Sequence, residues 1–160
     1  MADDQSTPSI WDDVWDSTGN PWNDHVHHRR MERGNILGAT LHMLPPQSDG
    51  GPLHFHHGNE EMLIVLRGRP TLRTPQGERL LSEGEIVVFP VGPDHAHKCR
   101  NTTDEQVRYL FVSNRASPDA VEYPESGLLS VMAVTNSQFG RPLWDMRTVE
   151  RPEPPSDDRT

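Results

Sequence analysis

His54-Phe55-His56-His57-Gly58-Asn59-Glu60-Glu61, answered further along the chain by Pro90-Val91-Gly92-Pro93-Asp94-His95-Ala96-His97, are the two stretches on which the fold turns. Side chains of an extended strand repeat every two residues, so His54 and His56 present two imidazoles to one face. A carboxylate just past the short Gly58-Asn59 turn, and another histidine from a distant strand, complete a four-ligand cage for a divalent cation. The expected function is metal-centred.

Outward from these stretches the chain reads as short strands separated by turn chemistry. Strands are expected near Ile36–Leu44, Leu53–His56, Glu61–Leu66, Arg69–Thr74, Glu78–Leu81, Glu85–Phe89, His95–Arg100, Gln106–Ser113 and Leu128–Val134. Between them stand Asp49-Gly50-Gly51, Arg67-Gly68, Pro75-Gln76-Gly77, Ser82-Glu83-Gly84 and Asn101-Thr102-Thr103-Asp104, all rich in turn formers. Many short strands with no long amphipathic helix and no internal repeat predict an all-β sandwich or barrel. From Glu61 to Leu66 both parities are apolar: Leu63 and Val65 on one side, Met62, Ile64 and Leu66 on the other. Both faces of that strand call for burial, and a second copy of the chain is the simplest cover for the outer one.

The 160 residues carry a net charge of −9, and no composition break divides them. One domain is expected, with residues 35–135 as the barrel, 1–34 as a partly disordered N-terminal extension and 136–160 as a C-terminal extension ending in a disordered tail. The tail, Arg151-Pro152-Glu153-Pro154-Pro155, has too little apolar surface to offset its ordering entropy. In the N-terminal extension Trp11 and Trp15 are spaced by one helical turn, so Ile10–Trp15 is expected to form a short helix resting on the barrel or on a second subunit. The acidic balance argues against nucleic acid as a partner. Cys99 is the single cysteine, which excludes an intramolecular disulfide. No apolar run is long enough for a membrane span and the N-terminus lacks the apolar core of a signal peptide, so a cytoplasmic chain is expected.

The two motifs resemble those of the cupin superfamily. The first, G(X)5HXH(X)3,4E(X)6G, fits His54, His56, Glu61 and Gly68, although Ser48 occupies the slot of the leading glycine, with Gly50 and Gly51 close by. The second, G(X)5PXG(X)2H(X)3N, fits Gly84, Pro90 and Gly92. Strict spacing then makes His95 the ligand with Cys99 in the asparagine slot. A two-residue insertion makes it His97 and restores Asn101, which favours His97. The resemblance implies a jelly-roll (cupin) β-barrel with short helical or irregular terminal extensions, paired as a homodimer. It also implies one divalent metal, Fe, Mn, Zn, Ni or Co, on His54, His56, Glu61 and His97. Three imidazoles and one carboxylate leave coordination positions open to water or substrate, and without thiolates the donor set does not choose among those metals.

Small cupins of this kind include oxygenases, isomerases and lyases, so a metal-dependent enzyme acting on a small oxygenated molecule is expected. The alternative is a non-catalytic cupin that binds or senses a small ligand. Cupin-containing regulators usually carry an attached helical DNA-binding domain, and the residues before the first expected strand are too few for one. His95 is the best available guess for a general acid or base. Of the remaining candidates, His57 reads as a turn residue and Glu60 as a surface group. His25, His27 and His28 read as a solvated or dimer-contact cluster, with a second metal site or a lid as the sharper option. Cys99, two residues past His97, is expected to face the same interior as a small buried hydrophobe, or as a thiol near the metal. Arg67, Arg73 and Arg108 offer a bidentate grip on a substrate carboxylate if any of them turns inward.

Overall fold

In the computed structural model, which describes residues 8–20, 23–31, 34–133 and 143–148, short strands run through nearly the whole chain. In chain order the described residues form β1 (Ser17–Asn20), β2 (Asn23–Arg30), β3 (Gly38–Leu44), β4 (Ser48–Asp49), β5 (Phe55–His56), β6 (Glu61–Arg67) and β7 (Thr71–Thr74). There follow β8 (Gly77–Leu80), β9 (Ile86–Phe89), β10 (Lys98–Asn101), β11 (Val107–Ser113), β12 (Asp119–Tyr123), β13 (Leu128–Ala133) and β14 (Leu143–Thr148). One sheet has the order β1-β2-β3-β11-β6-β9, a second β4-β10-β7-β8 and a third β14-β13-β12-β5. Successive strands β3, β4 and β5 find their antiparallel partners far along the chain in β11, β10 and β12. That shuttling between sheets makes the architecture an all-β jelly roll.

Alternation builds the core. Inward positions Leu63 and Val65 of β6 are sealed, while Met62 between the strands' outer faces is exposed. Val26, Leu44, Val107, Tyr109 and Phe89 from the six-stranded sheet meet Leu72, Leu81 and Cys99 from the opposite side. Each large apolar side chain so enclosed contributes roughly 1.5–3 kcal/mol. Gly50 passes against the second sheet so closely that a Cβ there would lie 2.6 Å from the Cys99 carbonyl oxygen and 3.0 Å from the Tyr109 hydroxyl. Its N–H donates to that same carbonyl at 2.9 Å. The close approach explains how Gly50 serves where Ser48 fills the motif's glycine slot.

The motif asparagine is structural. Asn101 is buried, and its Nδ2 donates to the carbonyls of Leu44 (3.1 Å), Pro45 (2.8 Å) and Glu105 (2.7 Å). Its Oδ1 accepts from the backbone N–H and the hydroxyl of Thr103. Asn101→Ala strands these groups without water, so urea unfolding should show a loss of about 3 kcal/mol.

Several elements differ from the sequence reading. The helix expected at Ile10–Trp15 is a turn, with Asp12 Oδ2 accepting the Ser9 N–H at 2.7 Å. That segment lies across the outer face of the six-stranded sheet, held by two buried arginines. Arg29 donates to the carbonyls of Ser9 and Val14 (3.2 Å), and Arg108 to the Ile10 carbonyl (2.9 Å) and the Asp13 carboxylate. Tertiary hydrogen bonding overrides the helical spacing of Trp11 and Trp15, and Trp15 instead packs under the Arg108 guanidinium. Strands β1, β2 and β14 occupy segments read as extensions. The polar sequence Asn23-Asp24-His25-Val26-His27-His28-Arg29-Arg30 shows no apolar alternation, yet it pairs with β3 from His27 to Arg30. The strand expected from His95 begins later, because Pro93–His95 form a single 3-10 turn after Gly92. The disordered tails expected at both ends fall largely on residues 1–7 and 149–160, outside the described residues. Among the described residues no helix is long and apolar enough to cross a membrane.

Candidate metal centre

The site forms where the ends of the sheets meet. Backbone bonds His54 N–H to His97 O (3.2 Å) and His97 N–H to His54 O (2.8 Å) bring the two motifs side by side. His56 closes β5, Glu61 opens β6, and the turn between them is pinned by Asp119. That carboxylate, fully buried, accepts from the Gly58 N–H (2.9 Å) and the Asn59 side-chain amide (2.9 Å).

The result is convergence on one oxygen. Glu61 Oε2 lies 3.1 Å from His97 Nε2, 3.3 Å from His56 Nε2 and 3.9 Å from His54 Nε2. The other nitrogen of each ring is committed. His54 Nδ1 meets the Pro52 carbonyl at 3.0 Å, His97 Nδ1 the His95 carbonyl at 3.0 Å, and His56 Nδ1 the Asp119 carboxylate at 2.6 Å. With Nδ1 donating to each of these acceptors, Nε2 is the nitrogen that each ring turns toward Glu61. Three Nε2 atoms thus converge on one carboxylate oxygen, where the His56 proton sits in metal-free protein and a cation could take its place. Outer partners that fix ring orientation in this way are what a metal-ligating histidine needs. His97 is also stacked on Phe89, with centroids 3.8 Å apart and the planes 13° from parallel. His54, His56 and Glu61 offer ligand atoms that all lie within 4.8 Å of one another, a group that could hold a metal ion, and His97 adjoins it through Glu61.

Electrostatics follow from this packing. Burial, reinforced by the neighbouring His97, lowers His54 to about 4. Burial also opposes charge on His56, but hydrogen bonds to Asp119 and Glu61 outweigh it and raise the ring to about 9. Desolvation would raise Glu61, yet hydrogen bonds from His56 and His97 hold it far below the usual carboxylate range. In metal-free protein, stability should consequently peak near the ordinary histidine value of 6.5. Below it the unfolded chain takes up a proton that buried His54 refuses, so stability falls towards pH 4. Above it the folded chain holds on His56 a proton that the unfolded chain releases, so stability falls again towards pH 9. Chelator-treated protein unfolded with urea across that range should show the maximum, and metal should abolish the alkaline decline by displacing the His56 proton.

His54, His56, Glu61 and His97 come together, and His95 does not join them. Its side chain is exposed at the Pro93–His95 turn and only its carbonyl touches the cluster, through His97. His57 is exposed against Glu122 (3.3 Å), and Glu60 is exposed with its N–H on Asn114. Cys99 is a buried core thiol, pushed up to about 12 by burial. Arg73 pairs with Glu125 (2.6 Å), Arg108 faces outward onto the N-terminal turn, and Arg67 is exposed at the end of β6. The histidine cluster separates: His27 sits against Trp15, His28 against His42, and the His25 side chain lies outside the described residues.

A cavity of about 250 Å³ opens beside the cluster, bordered by Glu61 and His54 and walled by His42, Tyr109, Phe111 and Tyr123. Three functional candidates here escaped the sequence reading: Asp119, His42 and Tyr123. Asp119 opens β12 directly after Ser117-Pro118, in a stretch with no periodic signal, and neither His42 nor Tyr123 belongs to a motif; only the inward parity of His42 with Leu44 hints at its place.

Residues 40–113 match the Cupin domain family. The chain carries a cupin domain. This cupin is similar in fold to a sugar phosphate isomerase of the cupin superfamily from Silicibacter pomeroyi, with 21% identity, 76% of each chain covered and a TM-score of 0.65. It is also similar to a protein provisionally named as a sugar phosphate isomerase from Acidithiobacillus ferrooxidans, at 24% identity over 77% of this chain and 81% of that one, with a TM-score of 0.59. A Cupin 2 conserved barrel domain protein from Salinispora arenicola gives 20% identity, coverage of 68% and 92%, and a TM-score of 0.51. No curated protein sequence matches the chain.

Proposed function

We propose that this cupin holds one divalent transition metal on His54, His56, Glu61 and His97 and is a metal-dependent enzyme acting on a small oxygenated molecule. The observation that carries the reading is the commitment of all three Nδ1 atoms, which turns three Nε2 atoms toward Glu61 Oε2 beside an open cavity. A bound metal would supply a Lewis acid that polarises a carbonyl or hydroxyl of the substrate. Glu61, the single anion of the set, tunes that acidity, and Asp119 keeps His56 in the required tautomer. The walls of His42, Tyr109 and Phe111 limit water around whatever binds. Oxygenase, isomerase and lyase chemistry all suit such a centre, and the names of two similar structures are in keeping with the second.

Elemental analysis of purified protein tests the first part, with one metal per chain in the wild type as the expected value. Metal content no higher than that of a His56→Ala chain would end the reading. Oxygen uptake, isomerisation and elimination assays on small hydroxy and keto compounds then separate the reactions, and tight binding without turnover would indicate a sensing cupin instead.

We also propose a homodimer formed through the outer face of the six-stranded sheet. Met62 pairs in register with Val88 and Ile64 with Ile86, and Met62, Ile86 and Val88 are exposed apolar side chains on that face. Sedimentation should give the mass of a dimer for the wild type and of a monomer for Val88→Glu.

A further inference from the structure

We propose that the cavity beside the metal centre takes a singly charged hydroxy acid whose body is one uncharged aromatic ring, with the acid end at the ligand cluster and the ring against Phe111 and Tyr123. This rests on the metal-dependent reading above and adds to it the class of ligand.

The walls follow from strand parity. Thr40 and His42 of β3 stand opposite Phe111 and Tyr109 of β11 in the pairing register, and all four line the cavity. Phe111 connects the cluster to that space. Its ring lies 5.6 Å from the ring of His97, and 5.7 Å from that of His42 with the planes at 87°. On the β12 side, Tyr123 stands 6.0 Å from His54 and lines the same cavity. Rings from two sheets therefore adjoin the candidate metal ligands, so a group held at the cluster extends its remainder along them. Because Phe111 and His42 are perpendicular, a further ring lying flat on one meets the other edge-on, the two arrangements that aromatic pairs favour.

Size and charge narrow the class. The cavity measures about 250 Å³. A benzene ring fits a cavity of about 150 Å³, so the remaining room suits a short oxygen-bearing head rather than a second ring. A divalent cation on Glu61 keeps one net positive charge, which one carboxylate balances. Lys98, the single lysine or arginine among the lining residues, is engaged by Asp49 at 2.8 Å. A second negative charge, such as a phosphate, would thus be desolvated without a partner. Polar partners for a polyhydroxylated body are few. Nδ1 of His42 is sealed, His54 Nδ1 is held by the Pro52 carbonyl at 3.0 Å, and Tyr109 is buried with its hydroxyl packed against Gly50. Each ligand hydroxyl left unpaired there costs about tenfold in affinity.

Four hydroxy acids that share one metal-binding head and differ in body form the probe set: mandelate with a phenyl group, lactate with a methyl, glycerate with a hydroxymethyl, and 3-phosphoglycerate. Calorimetric titration of metal-loaded wild type should show mandelate binding roughly 50-fold more tightly than lactate, from the added apolar area alone. Glycerate and 3-phosphoglycerate should bind no more tightly than lactate. Phe111→Leu keeps an apolar wall without the ring, and should weaken mandelate about fivefold more than it weakens lactate. Tyr123→Leu, at a half-buried position, should do likewise and covers the case in which Phe111→Leu does not fold. Metal-loaded wild type that binds mandelate no more tightly than lactate, or 3-phosphoglycerate more tightly than mandelate, overturns the inference and leaves the metal centre standing. Equal losses of mandelate and lactate in both variants overturn it as well. Wild type that purifies without metal ends the earlier reading, and this one with it.

Discussion

A His56→Ala chain is expected to leave purification with almost no metal and to melt well below the metal-loaded wild type. His56 is one of three imidazoles facing Glu61 Oε2, at 3.3 Å, and its ring is the one fixed by a buried carboxylate. Without it three donors remain and the Asp119 carboxylate loses a charge-assisted partner. A metal that binds only the folded chain stabilises it by about 2.7 kcal/mol at one hundred times its dissociation constant, and this linkage vanishes with the site. The comparison is best made twice, with metal and with chelator. The difference between wild type and variant should be larger with metal, because only that part reports coordination. An identical difference under both conditions would mean that His56 matters to the fold alone.

Asp119→Ala should be the most damaging single truncation away from the ligand cluster. The carboxylate serves the Gly58 N–H, the Asn59 amide and His56 Nδ1 at once, and its side chain is fully buried. Truncation leaves those donors without acceptors, for a loss on the order of 3–5 kcal/mol in urea unfolding. It also frees His56 to rotate or to change tautomer, which should weaken metal binding about 10–100-fold in a chelator competition. Asp119→Asn keeps the volume and one acceptor oxygen, so it should recover part of the stability while still binding metal poorly. Full metal affinity in Asp119→Asn would show that the charge of the carboxylate is not what orients the ring.

The candidate cluster is legible in the sequence because its information is local. The i, i+2 parity of His54 and His56, the turn before Glu61 and the paired spacing of Pro90, Gly92 and Asn101 all survive without a three-dimensional frame. Spacing alone does not separate His97 from His95; in the structure a 3-10 turn leaves His95 exposed, while His97 is buried against Phe89. Strand β2 was invisible for the opposite reason. Its sequence is polar except for Val26, and its place comes from pairing with β3 together with the burial of that one valine. The turn at Ile10–Trp15 likewise depends on Arg29 and Arg108, residues remote in sequence whose guanidinium groups only the assembled sheet aligns.

By itself, then, the order of residues determined an all-β chain, the two motifs and the side chains that face one another from them, since alternation and turn chemistry act over a few neighbouring positions. Only the tertiary structure decided which groups surround that cluster: Asp119 behind His56, the His95 carbonyl behind His97, and His42 in the cavity wall with an unpaired Nδ1. Orienting hydrogen bonds and orphaned polar atoms are properties of distance and burial. They join residues far apart along the chain, and no spacing rule in the sequence records them.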